Sequence, residues 1–469
     1  MIVDTHCHLD FKDFDPDRDS VLERARAKGV VRIINVGSSA EGSRRAIELS
    51  KKHDIVYASV GIHPHEAACV TDKVFDELKT LVIHNSRAPL RVPYDGEQGK
   101  VVAIGEVGLD YYRNLSPKKS QEAAFRKFIR LAIKMDLPLI IHSREADDDV
   151  INILKEHESR IRGVIHCFSG SEDMLKGYMD LGFYISFTCN LTFRNAKGLR
   201  GLAKTVPIEK VLLETDAPFL APEGLRGRRN EPAYLTYLVE EWSGITGLSK
   251  DDIERITTHN ANSLFKLGLD NKGSRVAYEI RDSLYLNITN RCTNNCYFCV
   301  RAQTAFVKGH NLKLEKEPDT DEILEAIGDP KKYKEIVFCG YGEPTTRLDV
   351  VKAVAARLKK KGAVIRLVTN GHGDLINKKP IVKELAGLID KASVSLNTSD
   401  EGQYNKICKP LFGENAYKAV VKFITDCVKN GIETEVTCLN LPEIDIKGCE
   451  KAAKALGASF RQRRHGVTG

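Results

Sequence analysis

Strand-length apolar runs alternate with segments of helical period from the first residue of this chain, and no other feature restricts its fold as much. The runs are "IVDTHCHL" (2–9), "VRIINVG" (31–37), "VYASVGI" (56–62), "VVAIGEVG" (101–108), "LPLIIHS" (137–143), "GVIHCFS" (163–169), "FYISFT" (183–188) and "KVLLETD" (210–216). Between them lie stretches such as "SPKKSQEAAFRKFIRLAIK" (116–134), where Ser116 and Pro117 fit an N-cap and the first helical position. Eight strand–helix units within residues 1–267 have the count and size of a (β/α)8 TIM barrel. The alternation breaks over residues 268–282, a polar, turn-rich stretch that reads as a linker. It restarts with "SLYLNIT" (283–289), "EIVFCGYG" (335–342), "VIRLVTNG" (364–371), "KASVSLNT" (391–398), "ETEVTCLN" (433–440) and "ASFRQRR" (458–464). Six units over 283–469 predict a second α/β domain, a (β/α)6 partial barrel. A length of 469 residues agrees with two domains of roughly 100–250 residues each.

Composition excludes classes without choosing a chemistry. Hydrophobic content of 42% beside 29% charged residues describes a soluble globular chain. Its longest apolar runs fall far short of the ~20 residues a membrane span needs, so no membrane partner is expected. "MIVDTHCHLD" lacks a basic region followed by a long apolar one, which predicts a cytoplasmic protein. In a reducing cytosol, clustered thiols among the twelve cysteines read as metal ligands rather than disulfides. The net charge of +7 permits a polyanionic substrate without demanding one.

In parallel barrels, chemistry collects where strands end and loops begin. The first strand ends in His6-x-His8, and residues two apart on a strand point the same way, so both imidazoles can reach one ion. Glu106, His142, His166 and Asp216 stand at the ends of the fourth, fifth, sixth and eighth strands, and "GIHPH" adds His63 and His65 at the third. Nitrogen and oxygen donors of this kind suit divalent ions of the Mg, Mn or Zn type. After Asp216, "APEGLRGRRNEP" carries Arg226, Arg228 and Arg229, whose guanidinium groups suit phosphate oxygens; a solvated basic loop is the competing reading.

The stretches "DTHCHLD", "GIHPH", "IGEVGLDYYR", "IHSREA", "HCFSG" and "ETDAPFLAP" occur in order, and through them the first domain resembles the TatD family of metal-dependent deoxyribonucleases. The resemblance implies that His6, His8, Glu106 and Asp216 hold one metal ion, and that Glu106, His142 and His166 hold a second, with Glu106 bridging. It makes Glu106 and Asp216 the catalytic carboxylates, with Asp216 placed to take a proton from the attacking water. DNA as substrate follows from the family alone. The donor set would equally serve another ester or an amide, and no aromatic-rich basic tract announces a single-strand groove.

"NRCTNNCYFCVR" (290–301) follows the first strand of the second domain and carries Cys292, Cys296 and Cys299. A [4Fe–4S] cluster is usually held by four thiolates, so three leave one iron open, as in a catalytic metal centre. A structural zinc site would need a fourth ligand such as His310. A ferredoxin-like carrier would need one such as Cys339, which otherwise reads as a buried strand cysteine. Cys408, Cys427, Cys438 and Cys449 follow no cluster spacing.

Cys-x3-Cys-x2-Cys, with Phe298 before the last cysteine, resembles the radical S-adenosylmethionine (SAM) enzymes. "FCGYGEPT" (338–345) is similar to their GGEP motif through Gly340, Gly342, Glu343 and Pro344, with Tyr341 where the second glycine is expected. By the same resemblance Thr369, Asn370, Ser395 and Asn397 are candidate contacts to SAM or substrate. The family implies SAM as cofactor, reductive cleavage to a 5′-deoxyadenosyl radical, and an electron donor such as a ferredoxin or flavodoxin. Both matches together resemble radical SAM proteins fused to TatD-type nucleases. A bifunctional enzyme is therefore expected, its radical substrate open and nucleic-acid-related by association only. The alternatives are a radical domain acting on a protein or small molecule, and a redox-sensing cluster that regulates the hydrolase. The basic tail "RQRRHG" (461–466) reads as a solvated terminus in preference to a phosphate contact.

Overall fold

The structure is a computed structural model that describes residues 1–86, 99–269 and 273–464. Two compact units divide the chain, Met1–Asp270 and Asn271–Gly469. Among the described residues no helix is long and apolar enough to cross a membrane.

The first unit is an eight-stranded parallel sheet in sequence order. Its strands are β1 (Ile2–Cys7), β2 (Val30–Val36), β3 (Val56–Val60), β4 (Val101–Asp110), β5 (Leu139–Arg144), β6 (Gly163–Ile165), β7 (Tyr184–Phe187) and β8 (Val211–Leu213). Cys7 bridges Ala217 in parallel, and the Asp216 amide donates to the His6 carbonyl at 2.9 Å, so the chain after β8 meets β1. Strands buried on both faces explain the near-continuous apolar runs of the sequence. Val3, Ile34, Val102, Ile140, Val164 and Leu212 form a core layer with Leu264 and Phe265 of the helix Lys250–Phe265. That helix opens with a capping box, Ser249 and Asp252 each satisfying the other's backbone N–H. The helix after β4 starts at Lys118 rather than Pro117. Ser116 does not cap it; its hydroxyl donates to the His65 carbonyl and accepts from the Ala68 amide, tying the end of β4 to the turn after β3.

The second unit is a seven-stranded sheet in the order β17-β16-β15-β14-β13-β10-β9. Its strands are β9 (Ala277–Ile280), β10 (Ser283–Leu286), β13 (Glu335–Phe338), β14 (Ile365–Thr369), β15 (Lys391–Ser395), β16 (Glu433–Asn440) and β17 (Ser459–Arg464); β11 (Phe306–Val307) and β12 (His310–Asn311) form a separate two-residue hairpin. Six strands run parallel, as six strand–helix units require, and β9 lies antiparallel against β10. The stretch 268–282 is thus not wholly a linker. Tyr278 and Ile280 are buried, while Glu279 between them is exposed.

The two faces of this sheet differ in kind. Leu284, Leu286, Ile336, Phe338, Ile365, Leu367, Val394 and Val436 pack against helix residues such as Val354, Leu358, Val420 and Phe423. By strand alternation the opposite face carries Tyr285, Glu335, Arg366, Lys391, Ser393, Glu435 and Arg461. These residues contact one another across strands: Arg366 pairs with Glu335 at 2.7 Å, and Arg461 with Glu435 at 3.0 Å. The inner face of the partial barrel is polar, whereas a TIM barrel packs branched apolar side chains there.

Candidate functional site

At the C-terminal rim of the first unit, the strand ends bring six ligand-type side chains around Glu106. β4 is the longest strand of its sheet, and its register against β5 shifts between Ile104 and Val107, on either side of Glu106. The two carboxylate oxygens face different partners. Oε2 lies 3.5 Å from His6 Nε2 and 3.9 Å from His8 Nε2. Oε1 lies 2.9 Å from His142 Nδ1, 3.5 Å from His63 Nε2 and 3.7 Å from His166 Nε2. Asp216 Oδ1 completes the first set, 3.5 Å from His8 Nε2 and 3.8 Å from His6 Nε2. His6, His8, Glu106, His142, His166 and Asp216, expected together from the strand ends, are thus brought together. His63 joins them.

The imidazoles are oriented from behind. His8 Nδ1 lies 2.9 Å from the Val36 carbonyl oxygen, which can only accept, so Nδ1 carries a proton and Nε2 is the atom turned to the cluster. His166 Nδ1 lies 2.9 Å from Glu214 Oε1, which also accepts from the Cys167 amide at 2.7 Å. Asp110 Oδ2 sits between His65 Nε2 at 2.9 Å and His142 Nε2 at 3.2 Å. Sequence reasoning did not single out Glu214 and Asp110. Both lie inside stretches quoted above, and their acid side chains two residues before Asp216 and four after Glu106 were the available signal.

The electrostatics of this cluster favour a cation. Burial disfavours a charged His8, yet the Asp216 carboxylate outweighs it and pushes the pKa up to about 9. Burial opposes a charged His166 too, and Glu214 overcomes it, raising the pKa to about 10. Burial also opposes ionised Glu106, but His63, His142 and His6 hold its carboxyl well below the ordinary range. Among the described residues no Lys or Arg pairs with Glu106 or Asp216. His6 Nδ1 is buried without a partner. Three donor groups converge closely enough to hold ions: His6 with His8 and Asp216, His6 with Glu106 and His166, and His63 with Glu106 and His142. Nitrogen and oxygen donors in this number fit divalent metals.

The arginines after Asp216 divide. Arg229 is committed to Asp17, with N···O distances of 2.7 and 2.8 Å, and does not join a phosphate contact in this arrangement. Arg226 and Arg228 are exposed, Arg226 with its guanidinium 4.5 Å from the centre of the Phe193 ring.

In the second unit the loop 290–299 leaves β10 and is fastened on two sides. Asn295 and Tyr297 donate backbone N–H groups to the carbonyls of Cys408 and Ile407 at 3.0 and 3.3 Å, and Glu343 donates its own to the Arg291 carbonyl at 2.7 Å. A cavity of about 310 Å³ opens beside the loop, lined by Asn290, Asn294, Cys296, Cys299, Arg301 and Tyr341. Burial pushes the Cys292 thiol up to about 11, so its thiolate needs a neighbouring cation. All twelve cysteines are free of disulfides. Three partly buried, unpaired thiols on one loop fit an iron–sulfur cluster.

The "GYGEP" turn packs directly on this loop. A Cβ on Gly342 would lie 2.4 Å from the Arg291 carbonyl oxygen and 2.6 Å from that of Thr289; one on Gly340 would lie 2.3 Å from Asn287 Oδ1. Both positions require glycine for that approach. Tyr341 is tolerated because its side chain leads away, its hydroxyl donating to the Thr304 carbonyl at 3.2 Å. Glu343 is buried, and its carboxylate accepts from Thr345 Oγ1 at 2.7 Å, Thr369 Oγ1 at 2.8 Å and the Asn370 amide at 2.7 Å. It therefore locks the turn before Pro344 to the end of β14. Asn370 Nδ2 donates to Thr293 Oγ1 at 3.0 Å, joining β14 to the cysteine loop. Ser395 and Asn397 follow at the end of β15; Asn397 Nδ2 donates to Cys408 Sγ at 3.4 Å, and its Oδ1 is buried without a partner.

A parallel eight-stranded barrel bearing a histidine–carboxylate ring defines a metal-dependent hydrolase, and a six-unit parallel sheet with a three-cysteine loop defines a radical SAM domain. Residues 3–266 match the family model of TatD related DNase, and residues 286–456 match that of the Radical SAM superfamily. The chain belongs to the TatD family, and its second unit is a radical SAM domain. Divalent metal ions in the first unit, and SAM with a [4Fe–4S] cluster in the second, come with these two assignments.

YabD of Bacillus subtilis, named a metal-dependent hydrolase, is 40% identical over 268 residues, covering 57% of this chain and 100% of that protein. The 3′-5′ ssDNA/RNA exonuclease TatD of Klebsiella pneumoniae is 35% identical over 280 residues, covering 58% of this chain and all of its own. Among solved structures, the TatD homologue YJJV of Escherichia coli matches with a TM-score of 0.52 at 30% identity, over 56% of this chain and 98% of that one.

Proposed function

We propose that the chain is a bifunctional enzyme whose first unit hydrolyses DNA phosphodiester bonds with two divalent ions and whose second unit performs radical SAM chemistry. The observation that carries the first half is the split of the Glu106 carboxylate, Oε2 toward His6 and His8 and Oε1 toward His142 and His166. His6, His8, Glu106 and Asp216 would hold one ion, and Glu106, His142 and His166 the other. When bound, such a pair lowers the pKa of water and neutralises phosphate charge. Asp216 would take up the proton that such a water gives up. His63 faces the same Glu106 oxygen as His142, at 3.5 Å, and would join His142 and Glu106 in holding the second ion. Arg226 and Arg228 hold flanking phosphates, and Arg229 positions their loop through Asp17. Nucleic acid is favoured over other esters by the 3′-5′ ssDNA/RNA exonuclease of Klebsiella pneumoniae, a relative covered in full.

In the second unit Cys292, Cys296 and Cys299 hold the cluster, which supplies reductive cleavage of SAM when loaded. Gly340, Gly342 and Pro344 shape the turn that lines the SAM site. Glu343, Thr369 and Asn370 keep that turn in register with the cysteine loop, and Ser395 and Asn397 present polar atoms from β15. Electrons come from a ferredoxin- or flavodoxin-type donor. Twelve thiols without a disulfide suit a reducing cytosol.

Two assays test this reading. Single-stranded DNA incubated with the protein and Mg²⁺ is expected to shorten from its 3′ end, and chelation to stop it; no product with Mg²⁺, Mn²⁺ or Zn²⁺ overturns the nuclease assignment. The reconstituted, reduced protein is expected to release 5′-deoxyadenosine from SAM; none from protein with an intact cluster overturns the radical half. Glu214→Gln keeps the shape of the His166 partner while removing its charge. Metal affinity, measured by competition with a chelating dye, is expected to fall about 10–100-fold, the usual effect of losing a carboxylate behind a histidine ligand.

A further inference from the structure

Arg463 is a cation without a counter-charge on the inner face of the second sheet. Three carboxylates on that face already serve three other cations: Glu335 pairs with Arg366 at 2.7 Å, Glu433 with Lys391 at 3.1 Å, and Glu435 with Arg461 at 3.0 Å. Glu435 also accepts from Ser393 Oγ at 3.1 Å. Among the described residues Arg463 is left over. Its Nη2 reaches Ser395 Oγ at 3.4 Å, its Nε is buried without a partner, and no carboxylate lies within ion-pairing distance among the described residues.

The placement is particular. β17 pairs with β16 in the register Thr437 to Arg461 and Leu439 to Arg463, and Phe460 is packed with the apolar core. Alternation then puts Arg461 and Arg463 on the inner side, and the contact with Ser395, across β16, confirms it. The residue stands level with the C-terminal ends of the strands, where its ionisable neighbours include Cys339, just before the "GYGEP" turn. Burial without a partner pushes its guanidinium below the usual value. Within the basic tail Arg463 is therefore not a solvated side chain; residues 465–469 lie outside the described residues.

We propose that Arg463, with the Ser395 hydroxyl, binds an oxyanion in the inner face of the radical SAM domain, a carboxylate or phosphate carried by a small molecule at the cysteine loop. A planar guanidinium offers paired N–H donors that match either oxyanion, and a desolvated site strengthens that match. The Ser395 hydroxyl, now an acceptor, rotates to donate to the same anion. The anion has two sources: the methionine carboxylate of SAM, or the molecule that loses hydrogen. The inference rests on the radical SAM reading for its chemistry, but the anion site itself does not need the cluster.

The test uses the full chain without added divalent metal, with and without the reconstituted cluster, and equilibrium dialysis of labelled SAM and of inorganic phosphate. Arg463→Ala is expected to weaken one of the two by at least tenfold, with Arg463→Lys recovering part of the loss. Unchanged iron content and thermal midpoint in both variants exclude misfolding. Loss of SAM binding, with decarboxylated SAM unaffected, assigns the anion to the SAM carboxylate. Loss of one bound phosphate per chain, with SAM binding intact, assigns it to an anionic second substrate. If neither ligand binds wild type, or neither responds to Arg463→Ala and Arg463→Lys, the proposal is overturned. Failure of the wild type to cleave SAM would sink the radical reading instead, and the phosphate measurement on cluster-free protein would still decide the anion site.

Discussion

Glu106→Ala is expected to reduce metal-dependent DNA hydrolysis by about 10³-fold or more, exceeding the 10²–10³ lost with a single transition-state contact. The reason lies in the geometry of one carboxylate. Each of its oxygens faces a separate group of histidines, at 3.5 Å on one side and 2.9 Å on the other. Removing it takes a ligand from both ions at once and leaves His6, His142 and His166 crowded without the anion that now balances them. Glu106→Gln separates charge from shape, since the amide fills the space with a single acceptor oxygen. It is expected to retain folding and to lose nearly as much activity. Initial rates against end-labelled single-stranded DNA, over a range of Mg²⁺ concentrations, read both effects. A rate within tenfold of wild type at saturating Mg²⁺ for either variant would remove Glu106 from the centre of the site.

The ring of histidines and carboxylates was legible because parallel strands impose a simple rule. Apolar runs end where the sheet ends, so a histidine or carboxylate at the end of a run stands at the rim, and rims of one barrel share one mouth. His6, His8, His142, His166 and Asp216 could be gathered on that rule alone. What stayed hidden depends on pairs far apart in the chain. Glu214 meets His166 across 48 residues, Asp110 meets His65 across 45, and Arg229 meets Asp17 across 212. No local period records such partners, so Arg229 read like its neighbours Arg226 and Arg228.

The second unit hid different things. β9 has four residues, too few for alternation to stand out against a polar, turn-rich stretch, although Tyr278 and Ile280 do face inward while Glu279 does not. The basic tail misled for a deeper reason. Charged residues at every second position of a terminal strand look like solvent exposure when a sheet's interior is taken to be apolar. Here the inner face is polar, and Arg461 finds its partner in Glu435 two strand positions away.

Cys292→Ala is expected to abolish SAM cleavage while leaving DNA hydrolysis within about twofold of wild type, because the two ligand sets share no residue. Iron bound after anaerobic reconstitution is expected to fall from about four per chain to a small fraction of that, with loss of the cluster's visible absorbance. A cluster with three protein thiolates has no spare ligand to recruit, which makes the loss near total. One nearby sulfur sharpens the test. The Cys408 thiol, at the end of the helix on which the loop is fastened, neighbours that of Cys296 and holds it well above its usual range. If Cys408 were a fourth ligand, no iron would be left open for SAM, and Cys408→Ala would lose iron as Cys292→Ala does. The cavity lies beside Cys296 and Cys299, whereas Cys408 is buried with Asn397 Nδ2 on its sulfur. A sulfur so enclosed serves as packing and as a hydrogen-bond acceptor. Cys408→Ala is accordingly expected to retain its iron and to release 5′-deoxyadenosine. Equal iron loss in both variants would show a four-thiolate cluster, and the radical assignment would fall with the open site.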